Sequence, residues 1–203
     1  KFSAGGEYLA LGGESVPLRL WRLETGEEVA LPPEVAAGVV LAEPGRLGGL
    51  VTADAEGVVR VWSREGGLLH SFPGRGRPAD VGFSPDGLSV FAHYPGAAPR
   101  LWRLSDGSLV ALEDQAASPS RNARGVFSAD SSRLMIVTGE SVRVWNAGAE
   151  EESTGLRLPT VLMHPSQWWI HHGAPSPDGT RVVTGARDAT ARLWDLTHPG
   201  TPA

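Results

Sequence analysis

Apolar residues in this chain fall into short runs that are separated by turn residues. Four such runs follow one another as ADVGFS (79–84), LSVFAH (88–93), APRLWRL (98–104) and SLVALE (108–113). Pro-Asp-Gly and related sequences stand between runs, and they favour tight turns because Pro fixes φ and Gly accepts positive φ. No segment shows a helical apolar period over three turns. The pattern predicts short β-strands throughout the chain and no helix.

One predicted strand recurs along the chain as Arg, an aliphatic residue and then Trp. It is present as LRLWRL (18–23), VRVWSR (59–64), PRLWRL (99–104), VRVWNA (142–147) and ARLWDL (191–196). Its tryptophans are Trp21, Trp62, Trp102, Trp145 and Trp194, and successive ones are 40 to 49 residues apart. Regular self-similarity indicates a repeat architecture, and four short strands in about 40 residues is the pattern of a propeller blade. The sequence therefore predicts an all-β propeller.

On these strands and turns the chain resembles the WD-repeat β-propeller family, most closely in SPDGTRVVTGARDATARLWDL (176–196). The resemblance implies four-stranded antiparallel blades. About five are expected, at residues 1–31, 32–74, 75–114, 115–163 and 164–203. Because the first lacks most of its first strand and the fifth stops after its third, we expect a segment of a larger propeller. Further blades or another chain would then complete the ring.

The resemblance also implies a buried polar network that joins a His, an Asp, a Ser or Thr and the Trp indole. In the fifth repeat these residues are His164, Thr184, Asp188 and Trp194. A fully satisfied network of this kind fixes one geometry. The other repeats depart from it: Leu11 and Ala92 replace the Thr, Glu56 replaces the Asp beside a retained Thr52, and the turn in 137–145 is shortened. Those four blades are expected to depend mainly on apolar packing.

Composition narrows the function classes. The chain has no Cys, which excludes disulfides, a thiolate nucleophile and a Cys-ligated metal. Its formal net charge of −5 gives no general attraction for nucleic acid or anionic membrane. No apolar run is long enough for a transmembrane helix. The excess of Arg over Lys, with abundant Ala and Gly, suggests a high-GC genome and so a bacterial source, and we expect a cytoplasmic protein.

Propeller topology divides the connections between two faces. The top face carries the fourth-to-first and second-to-third strand connections, and the bottom face carries the others. The bottom turns are acidic, and we expect ordinary solvated turn residues there; they carry Glu24, Glu27, Glu65, Asp86, Asp106, Asp130, Asp178 and the run 150–152.

The top loops carry arginines and aromatic residues, the types that dominate protein-binding hot spots. The partner-binding candidates are Arg75, Arg77, Tyr94, Arg121, Arg124, Trp168 and Trp169. At least one of the two adjacent tryptophans is instead expected to start a strand and pack between blades, because neighbouring side chains in a strand point to opposite faces. The top face is therefore the predicted binding surface.

Catalytic and metal sites are disfavoured. His164, His171 and His172 lie close together in sequence, but their spacing matches no zinc-ligand pattern. The His, Asp and Thr of the fifth repeat have a structural role in such a repeat, so no catalytic residue is assigned. Phosphate-binding loops are absent. The inner-strand segments VVLA (39–42), VGFS (81–84) and GVFS (125–128) are apolar, so no carboxylate or His is expected to recur in phase from blade to blade at the central channel.

Together these features predict a non-catalytic scaffold or sensor module that binds a protein or peptide through its top face. No cofactor is expected, membrane is excluded as a partner, and nucleic acid is disfavoured. A propeller that binds a small molecule or peptide in its channel is the alternative. By analogy with bacterial arrays, an accessory domain of a multidomain signalling enzyme is a further possibility.

Overall fold

The computed structural model describes residues 1–3, 5–13, 16–36, 38–45, 48–110, 112, 123–147, 159–163 and 169–197. Of the predicted residues, His164, Trp168, Arg121 and the acidic run 150–152 lie outside this set. The described chain forms 18 strands in five antiparallel sheets. In chain order these sheets are named blades 1 to 5.

The strands follow one another in simple meanders, so each pairs with its neighbour in sequence. Blade 1 contains β1 (Tyr8–Gly13), β2 (Val16–Arg22) and β3 (Glu27–Val29). Blade 2 contains β4 (Val39–Pro44), β5 (Leu50–Asp54), β6 (Val59–Trp62) and β7 (Leu68–Phe72). Blade 3 contains β8 (Asp80–Phe83), β9 (Ser89–His93), β10 (Arg100–Arg103) and β11 (Leu109–Val110). Blade 4 contains β12 (Arg124–Phe127), β13 (Arg133–Val137), β14 (Val142–Asn146) and β15 (Thr160–Leu162), and blade 5 contains β16 (Ile170–Pro175), β17 (Arg181–Ala186) and β18 (Ala191–Asp195).

Blades 1 and 5 have three strands within the described residues, whereas blades 2 to 4 have four. In blade 1 the position of the first strand is marked by a single bridge between Phe2 and Leu9. In blade 5 the Trp strand β18 is the last strand described. Each sheet lies inside one of the five ranges expected from the repeats.

One helical turn, α1 (Pro33–Ala36), interrupts the strands, so the prediction of no helix was wrong. A proline at the first helical position already has a helical φ. The turn buries Val35 in the apolar cluster that contains Leu18 and Leu50. Four residues are too few to produce the periodic signal on which a helix prediction depends.

The core lies between successive sheets. Four apolar clusters form within the described residues, and each draws its side chains from two adjacent blades. Between blades 2 and 3, for example, the Phe72 and Trp102 rings stack with centroids 4.6 Å apart. Each blade therefore depends on its neighbours to bury its faces, as expected of repeat architectures.

The repeated tryptophans differ in how the indole is satisfied. In two blades the indole N–H donates to a threonine hydroxyl at 2.9 Å, from Trp62 to Thr52 and from Trp194 to Thr184. Trp102 lies in the blade with Ala92 at the threonine position and packs on Phe72. The four-member network of blade 5 stays a prediction, because His164 lies outside the described residues.

The repeated arginines are built into their own blades in several ways. Arg60 forms an ion pair with Asp54 at 2.8 Å, and Asp54 also accepts the Val58 N–H, so Asp54 orders the turn in the blade where Glu56 replaces the usual Asp. Arg143 is buried and donates to Ser141 at 2.7 Å. Arg19 forms an ion pair with Glu28 and lies over the Trp21 ring, 4.8 Å from its centroid. These contacts support a scaffold role.

Three acidic bottom turns share one hydrogen-bond pattern, in which the Asp carboxylate accepts from the Ser hydroxyl two residues before it. The pairs are Ser84 with Asp86, Ser128 with Asp130 and Ser176 with Asp178, at 2.5, 2.5 and 2.6 Å. Each carboxylate also accepts a backbone N–H two residues after it. Because these bonds satisfy the acids locally, their main role is to close the turns.

Acid sensitivity should arise in part from the turn at Asp178. The Ser176 hydroxyl and the Thr180 N–H and hydroxyl lower the pKa of Asp178 to about 2. A depressed carboxyl pKa gives stability that is present above the usual Asp range and is lost as pH falls through about 2. Asp178→Asn should therefore lower the melting temperature at neutral pH, with a difference from wild type that narrows between pH 4 and pH 2. Thermal melts over this pH range would measure it, and a difference independent of pH would contradict the prediction.

Neighbouring bottom turns are also joined to each other by hydrogen bonds that backbone N–H groups donate. The Asp86 N–H of blade 3 donates to the Ser131 hydroxyl of blade 4 at 3.1 Å. The Asp130 N–H of blade 4 donates to the Pro177 carbonyl of blade 5 at 3.0 Å. Blades 3, 4 and 5 are therefore linked in series along this face.

Candidate functional site

A cavity of about 180 Å³ opens between blades 4 and 5 on the top side. It brings together two elements of the predicted binding surface, Arg124 at the start of β12 and Trp169 just before β16. His171 and His172 line it as well. We name this group the blade 4–5 cleft. Its mixture of a cation, an indole and two imidazoles suits an acidic or aromatic ligand group.

Trp169 is held in place by the turn of blade 4. The indole lies directly on Gly139, where an added Cβ would stand 2.1 Å from the ring, so only glycine allows this approach. The Ile170 N–H donates to the Gly139 carbonyl at 2.8 Å, and the Arg187 N–H donates to the Trp169 carbonyl at 2.9 Å. Trp169 nevertheless stays 47% exposed. Trp169 thus packs between blades 4 and 5 and also presents aromatic surface to solvent.

The charged members of the cleft are accessible. Arg124 is exposed, and no hydrogen bond or ion pair occupies its side chain within the described part of the chain. His171 and His172 are also exposed, because the pairing register of β16 shifts between Ile170 and His172. A regular strand would send one of the two inward. This irregularity places both His residues at the cleft.

The other predicted arginines lie apart from the cleft. Arg75 and Arg77 are exposed in the loop between β7 and β8, and Arg77 lines a separate cavity of about 180 Å³ between blades 2 and 3 with Pro78 and Pro95. The structure therefore brings Arg124 and Trp169 together but does not place Arg75 and Arg77 in the same cavity. Arg121 and Trp168 lie outside the described residues.

Tyr94 is not a surface residue, and its assignment as a partner-binding candidate is corrected here. It is 1% exposed and belongs to the apolar cluster between blades 2 and 3. Its hydroxyl donates to the Gly57 carbonyl at 2.8 Å. Burial raises the pKa of Tyr94 to about 12. In sequence, a Tyr before Pro-Gly looks like an exposed loop aromatic, but here the loop turns the ring into the core.

The inner strands carry two carboxylates at different positions of the blade register, because Glu43 pairs with Val51 and Asp80 pairs with His93. Glu43 lies in β4 and Asp80 begins β8, just outside the segments that looked apolar in sequence. The Lys1 ammonium contacts both carboxylates, with Glu43 at 3.1 Å and Asp80 closer. Asp80 also accepts the Gly125 N–H of blade 4 at 2.9 Å, and Glu43 accepts the Phe83 N–H of blade 3 at 2.9 Å. One charged cluster thus connects blades 1 to 4.

Burial and pairing act in opposite directions on this cluster. Burial raises the pKa of Glu43 more than Lys1 lowers it. For Lys1, burial opposes the charged form, but Glu43 and Asp80 outweigh burial and raise its pKa. The partners of Lys1 therefore favour its charged form, whereas burial disfavours the charged form of Glu43 despite its pairing.

Metal-binding groups and long apolar helices are both absent from the part of the chain with assigned positions. None of its His, Asp and Glu residues form a group of three or more that could hold a metal ion. None of its helices has the length and apolar character needed to cross a membrane.

Comparison with known proteins supports the WD40 assignment. Residues 158–195 match the family described as WD domain, G-beta repeat. The solved structure of the C-terminal WD40 domain of Sif2 superposes on all of this chain and 55% of that chain, with a TM-score of 0.71 and 20% identity. The predicted fold class, an all-β propeller of antiparallel blades, is confirmed.

Curated relatives carry the name nuclear distribution protein PAC1. Those of Arthroderma benhamiae (strain ATCC MYA-4681 / CBS 112371) and Trichophyton verrucosum (strain HKI 0517) are each 25% identical over 159 residues, which is 72% of this chain and 33% of theirs. That of Arthroderma otae (strain ATCC MYA-4605 / CBS 113480) is 32% identical over 75 residues, 36% of this chain and 15% of that protein. The chain thus spans about a third of the length of the first two. All three are fungal proteins, so they give no support to a bacterial source.

Proposed function

We propose that this chain, with its WD40 repeat match and the fold of WD40 propellers, is a non-catalytic scaffold or sensor that binds a protein partner through its top face. The observation that carries the proposal is the blade 4–5 cleft. There Arg124 and the half-exposed Trp169 share one cavity at a junction between blades. WD40 domains generally serve as protein-interaction scaffolds, which agrees with this assignment. We also propose a cytoplasmic location.

The cleft has the composition and rigidity of a binding hot spot. Trp and Arg are the residues most enriched among side chains that dominate protein affinity. Trp169 is fixed by backbone bonds on both sides, from Ile170 to Gly139 and from Arg187 to Trp169, so little side-chain freedom is lost when a partner binds. A preorganised aromatic beside an exposed cation supports tight binding through a few residues rather than a broad, weak contact.

The partner should be acidic or mixed in charge. Arg75, Arg77 and Arg124 are exposed cations of the top side. Their charge would attract carboxylates and speed association, although the whole chain is acidic with a net charge of −5. The nuclear distribution named in the relatives stays with those proteins, because the match covers about a third of their length.

Replacing Arg75, Arg77, Arg121 and Arg124 together with Ala should weaken partner binding by about tenfold or more, because the loss of several interface cations removes both steering and pairing. Partners captured by the wild-type chain from a cell extract would be identified, purified and titrated against both forms by calorimetry. The double variant Arg103→Ala with Arg181→Ala controls for the loss of cations outside the predicted top face. Circular dichroism must show unchanged folding, and unchanged affinity of the fourfold variant would refute the proposal.

A channel-binding propeller is the second candidate, and the inner strands favour it. His171 and His172 are exposed on β16, the first strand of blade 5, where a ligand in a central channel would meet them. The same titration separates the two functions. Binding that is lost on His171→Ala with His172→Ala but kept in the fourfold arginine variant would favour a ligand in the channel. An accessory role in a larger signalling enzyme is compatible with either function.

A further inference from the structure

The bottom side carries a large apolar cavity, which the acidic sequence of its turns does not predict. It lies between blades 2 and 3 and has a volume of about 590 Å³, within the range of ligand-binding pockets. Its apolar lining includes Trp62, Leu69, Phe83 and Leu104. None of these residues belongs to the blade 4–5 cleft.

Leu69 is an apolar side chain of the cavity that is exposed rather than part of the core. Leu69 lies on the outer strand β7 and is 59% exposed, yet it lines the cavity. Its neighbour Leu68 is 54% exposed and does not line the cavity. Two adjacent leucines of similar exposure therefore differ in whether they line this cavity, and they form a matched pair for testing it.

Two charged residues line this cavity, and they differ in how their side chains are hydrogen-bonded. Asp86 lines the cavity, but its carboxylate already accepts the Ser84 hydroxyl at 2.5 Å and the Leu88 N–H at 2.9 Å. Arg64 lines it too and is exposed, and no ion pair or hydrogen bond occupies its side chain within the residues that have assigned positions. The rim therefore offers one available charge, a guanidinium, which prefers a carboxylate.

A second cavity continues the surface toward blade 1. It has a volume of about 810 Å³ and is lined by Tyr8, Arg22 and Leu23, and it shares Arg64 with the first cavity. Glu7 and Glu24 line this second part, so its charge is mixed. Two cavities in a row with a shared cation fit an extended chain better than a compact small molecule.

We propose that the bottom side binds an extended acidic peptide segment of a partner protein. A bulky apolar side chain of the peptide enters the cavity between blades 2 and 3, against Leu69 and Phe83. A carboxylate next to it in the peptide pairs with Arg64. This site is separate from the top face, so a scaffold that uses both could hold two partners at once.

The test starts from a phage-displayed library of random peptides that is selected on the 203-residue chain. Enriched peptides would be synthesised and titrated by fluorescence polarisation against the wild type and against Arg64→Glu and Leu69→Ala. The controls are Arg181→Glu, at an exposed arginine away from the cavity, and Leu68→Ala. Both test residues are exposed, so folding should be retained, and circular dichroism verifies it.

We expect enriched peptides that combine a bulky apolar residue with an Asp or Glu. Arg64→Glu and Leu69→Ala should each weaken their binding by about tenfold, whereas the controls change it little. A peptide with Lys in place of its acidic residue should recover binding to Arg64→Glu, which a merely structural role of Arg64 would not produce. The proposal is overturned if no peptide is enriched, if enriched peptides are basic, or if binding depends on Arg124 and not on Arg64. The last outcome would leave the top-face function standing.

Discussion

Gly57→Ala should destabilise the protein by about 2 to 5 kcal/mol. This figure is the sum of two costs, that of a left-handed conformation at an L-residue and that of an overlap between the new Cβ and the backbone of Gly76. Gly57 has a φ of 84°, a conformation that L-residues adopt at a cost. An added Cβ would also stand 2.0 Å from the Gly76 carbonyl oxygen and 2.9 Å from the Tyr94 ring. The second neighbour is buried and the first is backbone, so neither can move away cheaply.

The position matters because blades 2 and 3 meet there. The Gly57 carbonyl accepts the Tyr94 hydroxyl at 2.8 Å, and the Gly76 N–H donates to the Glu56 carbonyl at 3.1 Å. Moving Gly57 therefore disturbs the buried tyrosine and the loop that leads into blade 3. One substitution should weaken an interface between two sheets.

Gly96→Ala is the matched control for Gly57→Ala. Gly96 has a φ of 76°, but an added Cβ would meet nothing within 4 Å. It should cost only the conformational part, about 1 to 2 kcal/mol. Urea unfolding of the two variants measures the difference. Equal losses at both positions would show that the close approach to Gly76 and Tyr94 contributes nothing.

Asp80→Ala should cost about 3 kcal/mol, the lower end for breaking a buried ion pair because Lys1 is partly exposed. Asp80 is buried and serves two partners from other blades. Its loss would leave the Lys1 ammonium with Glu43 as its one carboxylate, at 3.1 Å, and would remove the acceptor of the Gly125 N–H. An unpaired buried donor adds its own penalty.

A double-mutant cycle identifies the origin of that cost. If the cost comes from the lost pairing between the Lys1 ammonium and Asp80, Lys1→Met should reduce the effect of Asp80→Ala by about 1 kcal/mol or more. Denaturant unfolding of the wild type, both single variants and the double variant gives the coupling. Strict additivity would mean that the ion pair contributes no net stability and that the Gly125 bond carries the loss.

The fold could be predicted because its signal is local and repeated. The Arg-aliphatic-Trp strands, their spacing and the Pro-Asp-Gly turns each follow from a few neighbouring residues. The indole bond of Trp194 to Thr184 spans ten positions inside one hairpin, so a sequence pattern can carry it. The helical turn at α1 was missed because four residues have no period.

The site was predicted less well because its contacts join distant parts of the chain. Arg124 and Trp169 were found as residue types, but their common cavity depends on the packing of blade 5 on Gly139. Tyr94 stands in a loop whose sequence suggests exposure, and only the approach of Gly57 explains its burial. No role was predicted for Arg64, because the cavity that it borders is formed by two blades together.

The hydrogen bonds between the bottom turns couple local unfolding of one blade to its neighbour. Local unfolding of blade 5 would remove the Pro177 carbonyl that accepts the Asp130 N–H, so blade 4 would be destabilised first. Blade 3 is reached only afterwards, through the bond of Asp86 to Ser131. The coupling therefore resembles a line of nearest neighbours, in which amide-exchange protection is graded from blade to blade rather than lost everywhere together.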